Sequence, residues 1–171
     1  MSGLDEAYTR DIDRAVERAR EDGRFDLAEY FTLRATNDAV REQGVAWLYD
    51  SISEIVAAFN SRGAGIVLDR SDGHRFRFGE SMLTGSSVSL KKGLRSLTVE
   101  AGWTQSTGDG IMRGGALVCA KITHFGFVKQ NEELLLLKVE GVPQWFSRTG
   151  ERELVSFNIK SFKRHFEVFL G

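Results

Sequence analysis

Val88-Ser89-Leu90-Lys91-Lys92-Gly93-Leu94-Arg95-Ser96-Leu97-Thr98-Val99-Glu100-Ala101 is the stretch that decides the fold class. In its second half and just beyond, Leu97, Val99, Ala101 and Trp103 occupy alternate positions on one face, with Ser96, Thr98 and Glu100 on the other. A period of two marks a strand with one buried face and one polar face. Lys91-Lys92-Gly93 supplies a turn back to Val88–Leu90, so the stretch predicts an antiparallel hairpin.

The same pattern repeats on both sides. Ile66–Asp69 and Arg75–Phe78 flank Ser71-Asp72-Gly73, and Asp-Gly is a strong hairpin signal. Residues 112–125 and Leu134–Val139 flank Lys129-Gln130-Asn131, and Gln144–Ser147 and Arg152–Phe157 flank Thr149-Gly150. Consecutive hairpins with short links predict a curved antiparallel meander of seven or eight strands over 63–157. Asn158 then reads as an N-cap, with Ile159, Phe162, Phe166 and Phe169 forming the apolar stripe of a helix over 158–170.

Upstream the texture changes. Residues 1–62 hold three of the eighteen glycines, and glycine is costly inside helices and at home in turns. Leu4, Tyr8, Ile12, Ala15, Val16 and Ala19 follow three- and four-residue steps, and Gly23 reads as the C′ residue of that helix. Asp26 with Glu29 resembles a capping box for a second helix reaching about Phe59. Thr36-Asn37-Asp38 offers a cap that would split this segment, giving two or three N-terminal helices. Val45, Leu48, Ile52, Ile55 and Phe59 form a seam that suits either an intramolecular core or a homodimer. The chain is thus expected to be one α+β domain over 1–171.

Composition bounds the function. A length of 171 residues suits one core, burying roughly 70% of the unfolded surface. Residues 1–62 carry eight Lys or Arg against thirteen Asp or Glu, and the remainder fifteen against eleven. The overall charge of −1 argues against a dedicated nucleic-acid binder. No apolar run is long enough to span a bilayer, and Met1 to Arg20 lacks the apolar core of a signal peptide. A cytoplasmic setting is expected. Cys119 lies in an apolar run without a second cysteine, which reads as a buried, inert thiol.

Catalytic motifs are missing from this reading. His74, His124 and His165 have no metal-ligand spacing, no nucleophile elbow is present, and no cofactor is implied. Glu132 and Glu133 are adjacent in a strand and face opposite sides. Residues 112–125 read as one strand, with His124 sharing a face with Met112, Gly114, Val118 and Ile122. The segment from Trp103 to Gly115 holds four glycines around Asp109 and Arg113, but its spacing is not that of a phosphate loop.

A non-catalytic binding module is therefore the leading expectation. Its concave sheet would hold a small anionic ligand, with Trp103, Asp109, Arg113, His124 and Trp145 as candidate ligand-binding residues. A basic face of Arg75, Arg77, Lys160 and Arg164 would serve an acidic partner. The alternatives are an oligomeric adaptor joined through the 45–59 seam, and an enzyme whose pocket is built from dispersed residues.

Overall fold

A computed structural model describes residues 3–171, with side chains from Ala7 onward. Leu4, the first residue of the expected apolar stripe, lies outside the described side chains. The chain divides into two compact units, one up to Glu42 and the other Gln43–Gly171.

The first unit contains helix α1 (Gly3–Glu21) and the start of α2 (Phe25–Asn60). The end of α1 is a Schellman turn, in which the Gly23 amide donates to Arg20 and the Arg24 amide to Ala19. Helix α2 starts two residues earlier than the capping pattern implied, at Phe25 rather than Leu27. The Arg24 carbonyl accepts from the Ala28 amide, so Asp26 sits inside the first turn and is not the cap. Its charge there still complements the positive end of the helix.

No break occurs at Thr36-Asn37-Asp38, because the polar groups that could interrupt the helix are engaged elsewhere. The hydroxyls of Thr32 and Thr36 donate to the carbonyls four residues back, at 3.0 and 2.9 Å. The Asp38 carboxylate accepts from Tyr8 at 2.6 Å and pairs with Arg41 at 2.8 Å.

In the second unit, seven antiparallel strands follow in chain order and form one unclosed sheet: β1 (Val67–Phe78), β2 (Ser81–Lys92), β3 (Arg95–Trp103), β4 (Val118–His124), β5 (Glu132–Val139), β6 (Val142–Thr149) and β7 (Glu153–Ser156). Ser71-Asp72-Gly73 is not the hairpin turn that Asp-Gly suggested. Gly73 (φ +65°) is an extra residue between the Asp72↔Ser86 and His74↔Gly85 pairs, a β-bulge within one long strand. A left-handed glycine serves a bulge as readily as a turn. The real reversal lies at Gly79-Glu80.

Residues 112–117 also depart from the expected strand. Arg113–Gly115 form a 3-10 turn in which Gly114 and Gly115 have φ of +62° and +71°, angles a strand does not admit. Met112 and Gly114 therefore precede β4, and His124 shares its face only with Val118, Ala120 and Ile122.

Helix α3 (Ile159–Leu170) is capped as read, with the Asn158 side chain accepting from the Lys160 amide. Phe162, Phe166 and Phe169 are buried. Phe166 stacks on Phe59 of α2 at 6.0 Å, and Phe162 meets Phe157 edge-on at 4.8 Å. The Arg95 guanidinium donates to the Val168 carbonyl at 3.0 Å, satisfying the last turn of α3 from the base of a strand.

The 45–59 seam belongs to this core. Leu48, Ile52 and Ile55 are buried within the single chain, while Val45 and Phe59 are half-buried. The apolar surface of Leu48, Ile52 and Ile55 is covered by the chain's own core. Trp145 fixes the start of this packing by donating its indole N–H to the Gly44 carbonyl at 3.1 Å.

A second apolar cluster, built around Phe76, Phe78, Leu83, Cys119 and Leu135, joins strands that a flat sheet would keep apart. The sheet curls, and Lys121 of β4 reaches the Arg77 carbonyl of β1 at 3.4 Å. Among the described residues no helix is long and apolar enough to cross a membrane.

Candidate functional site

The five residues expected to share one ligand pocket lie in separate places. Trp145 is buried against α2. Trp103 is half-buried at the end of β3, opposite Thr84. Asp109 folds back on its own loop and accepts from the amides of Gln105 and Ser106, at 3.1 and 3.0 Å. The Gln105 amide above all holds its carboxyl below the usual range. Arg113 lines a cavity of about 640 Å³ with Phe78, Met112 and Cys119, and stands 3.6 Å from Glu133. His124 lies elsewhere, under α3.

The expected basic face is likewise two places. Arg75 and Arg77 are on β1, with Arg75 3.5 Å from Asp109, whereas Lys160 and Arg164 are on α3.

Cys119 is buried, and desolvation pushes its thiol up to about 12 despite the opposing backbone hydrogen bond and charge of Arg113. The native protein should give no rapid reaction with a disulfide reagent at pH 8 and one thiol per chain after unfolding. A native-state reaction at the rate of a free thiol would contradict this burial.

What the fold does assemble is a histidine pair on a carboxylate. His124 closes β4, Glu132 opens β5, Ser147 lies on β6, and His165 occupies the buried stripe of α3. The meander brings these strand ends together. The Asn131 side chain fixes the connection by accepting from the His124 amide at 2.8 Å. The two imidazoles are 2% and 4% exposed, with His124 Nε2 and His165 Nδ1 2.8 Å apart. His165 Nε2 makes a short contact with Glu132 Oε2.

An ionised Glu132 can only accept, so His165 donates to it from Nε2, and its other ring nitrogen shares a proton with His124 Nε2. Burial lowers the His124 imidazole to about 4, with His165 adding to the effect. Burial alone would raise the Glu132 carboxyl. The hydrogen bond from His165, the nearby Ser147 hydroxyl and the charge of Arg164 outweigh it and hold the group below its ordinary value.

Beside this network opens a cleft of about 520 Å³. Its cationic side chains are Lys121, Lys129, Arg148 and Arg164, against the carboxylates of Glu132 and Glu133. Glu132 is already engaged by His165 and, at 3.4 Å, by Arg164. Ser147 also lines the cleft. Its Oγ is buried and near Glu132, yet has no partner in hydrogen-bonding geometry.

Of these residues, sequence reasoning selected His124 and Arg164 but missed Glu132, Ser147 and His165. A signal existed for two of them. His165 falls between Phe162 and Phe166 on the apolar stripe, and Glu132 has the parity of Leu134 and Leu136, which face the core. A titratable group on such a face requires a buried partner. Among the described residues, no group of three or more His, Cys, Asp or Glu is placed to hold a metal ion.

Comparison with protein-family models, curated proteins and solved structures gives no match.

Proposed function

We propose that this protein is a non-catalytic binding module that takes a small carboxylate or phosphate anion into the cleft between β4–β6 and α3. The observation that carries this reading is the gathering of four cationic side chains, Lys121, Lys129, Arg148 and Arg164, along a cleft whose Glu132 is already engaged by His165. An anion in the cleft would pair with the cations that edge it.

Arg164 is the natural clamp. Its fork carries five donors and spends one on Glu132 through a long contact. The geometry favours binding over turnover, because Ser147 neighbours the carboxylate and neither histidine is bonded to a hydroxyl that it could activate.

Calorimetric titration and melting curves with inorganic phosphate, pyrophosphate and citrate test the reading. At about a hundred times Kd, a bound anion should raise the melting temperature by about 5–10 °C. The Arg164→Ala and Arg148→Ala variants should fold and lose most of that rise. Equal stabilisation of Arg164→Ala by the same anions would overturn the assignment of this cleft.

A further inference from the structure

At the outer rim of the cleft, where Val128 and Lys129 also line it, one end of the sheet carries apolar side chains that are exposed among the described residues. Leu94, at the tip of the β2–β3 turn, is 96% exposed. Phe125 and Val128, in the β4–β5 connection, are 74% and 76% exposed, and Phe127 is half exposed beside them. The two loops are neighbours. The Phe125 amide donates to the Ser96 carbonyl at 3.0 Å, and the Arg95 guanidinium lies over the Phe127 ring at 5.9 Å.

The two loops themselves carry charge of one sign, with Glu132 and Glu133 beginning just beyond them. Residues 91–96 and 125–131 contain Lys91, Lys92, Arg95 and Lys129 and no Asp or Glu. Lys91 and Lys129 are exposed, whereas Arg95 is partly engaged by the end of α3. Large apolar side chains at loop tips, where nothing shields them, call for an apolar phase to receive them. A surrounding belt of lysines calls for anions at the boundary of that phase.

We infer that the Leu94 and Phe125–Val128 tips form a docking surface for an anionic lipid bilayer, inserting below the headgroups while the flanking lysines pair with phosphate and carboxylate groups. Two features favour a bilayer over an acidic protein. The apolar residues stand on separate protruding turns, and a fluid layer accepts such points without the matching pockets that a protein partner would need. The most exposed of them, Leu94, belongs to a two-residue reversal between Lys92 and Arg95.

Flotation of the full chain with vesicles tests this. The protein should float with phosphatidylcholine vesicles containing phosphatidylserine and stay behind with phosphatidylcholine alone, and added salt should weaken the binding. The double substitution Leu94→Ser with Phe125→Ser should abolish flotation without changing the melting temperature, since both side chains already face solvent. Lys91→Gln with Lys92→Gln should weaken it about twenty-five-fold, at about fivefold for each charge. Absence of flotation by the native chain would overturn the inference. So would flotation that Leu94→Ser with Phe125→Ser leaves intact. Binding to a polyglutamate peptide that equals or exceeds binding to the vesicles would overturn it in favour of an acidic macromolecule.

Discussion

Replacing Gly85 by alanine should cost at least about 3 kcal/mol of stability, the largest effect expected of any single methyl group in this chain. Gly85 on β2 faces Gly102 on β3 across the ladder. A Cβ at Gly85 would lie 2.0 Å from the Ala101 carbonyl oxygen, and one at Gly102 would lie 2.6 Å from the Thr84 carbonyl oxygen. Both obstacles are backbone, so no side-chain rotation relieves them. The strands would have to separate where the sheet bends, with loss of ladder hydrogen bonds. Gly85 does not have the positive φ that favours glycine, and the cost is therefore steric. Urea unfolding at equilibrium measures it directly. Gly108→Ala is the control, because its Cβ would meet only Ser106 Oγ, at 3.7 Å. A loss below about 1 kcal/mol for Gly85→Ala would show that the two strands are not held this closely.

Acidification should weaken the protein through His124, well before ordinary carboxylates are protonated. In the unfolded chain this imidazole takes a proton near pH 6.5, whereas in the native state it resists protonation until about 4. Between those values the unfolded state binds more protons, so stability rises with pH across the window and falls as pH is lowered through it. The contribution is fully present above about 6.5 and gone below about 4. With the ring almost wholly covered, a displacement of this size corresponds to about 2–3 kcal/mol. Glu132, also held below its ordinary value, adds its own loss at lower pH.

Unfolding free energies at a series of pH values from 7.5 to 4.5 test this sign. His124→Gln keeps a polar side chain beside His165 and removes the titrating group, so its stability should change less over that range. A native chain with a flat profile, or a His124→Gln chain with an unchanged slope, would rule out a buried neutral His124.

The strand alternation around Val99, the Asn158 cap and the aromatic stripe of α3 were legible because each is a local pattern that one element satisfies alone. The errors arose where one local signal serves two structures. Asp72-Gly73 has the chemistry of both a hairpin turn and a bulge, and only the pairing with β2 decides between them. Thr36-Asn37-Asp38 could cap a helix, but the Thr36 hydroxyl turns back to Thr32 and Asp38 is taken by Tyr8 and Arg41. The candidate site was largely hidden for a different reason. His165 is 41 residues from His124 and 33 from Glu132, so no spacing rule joins them. Arg113 drew notice through its flanking glycines, which serve a tight turn before β4.

Because every strand pairs with its neighbour in the chain, the sheet can assemble one hairpin at a time as the polypeptide leaves the ribosome. Its aromatic side cannot be finished on that schedule. Phe162, Phe166 and Phe169 arrive only after β7, and until they do Phe59 and Trp47 lack their ring partners. A nascent chain paused just beyond β7 would hold a nearly complete sheet with its greasy surface bare, the condition that recruits chaperones and invites aggregation. The rate at which the ribosome delivers α3 would then set how long each newly made molecule remains at risk.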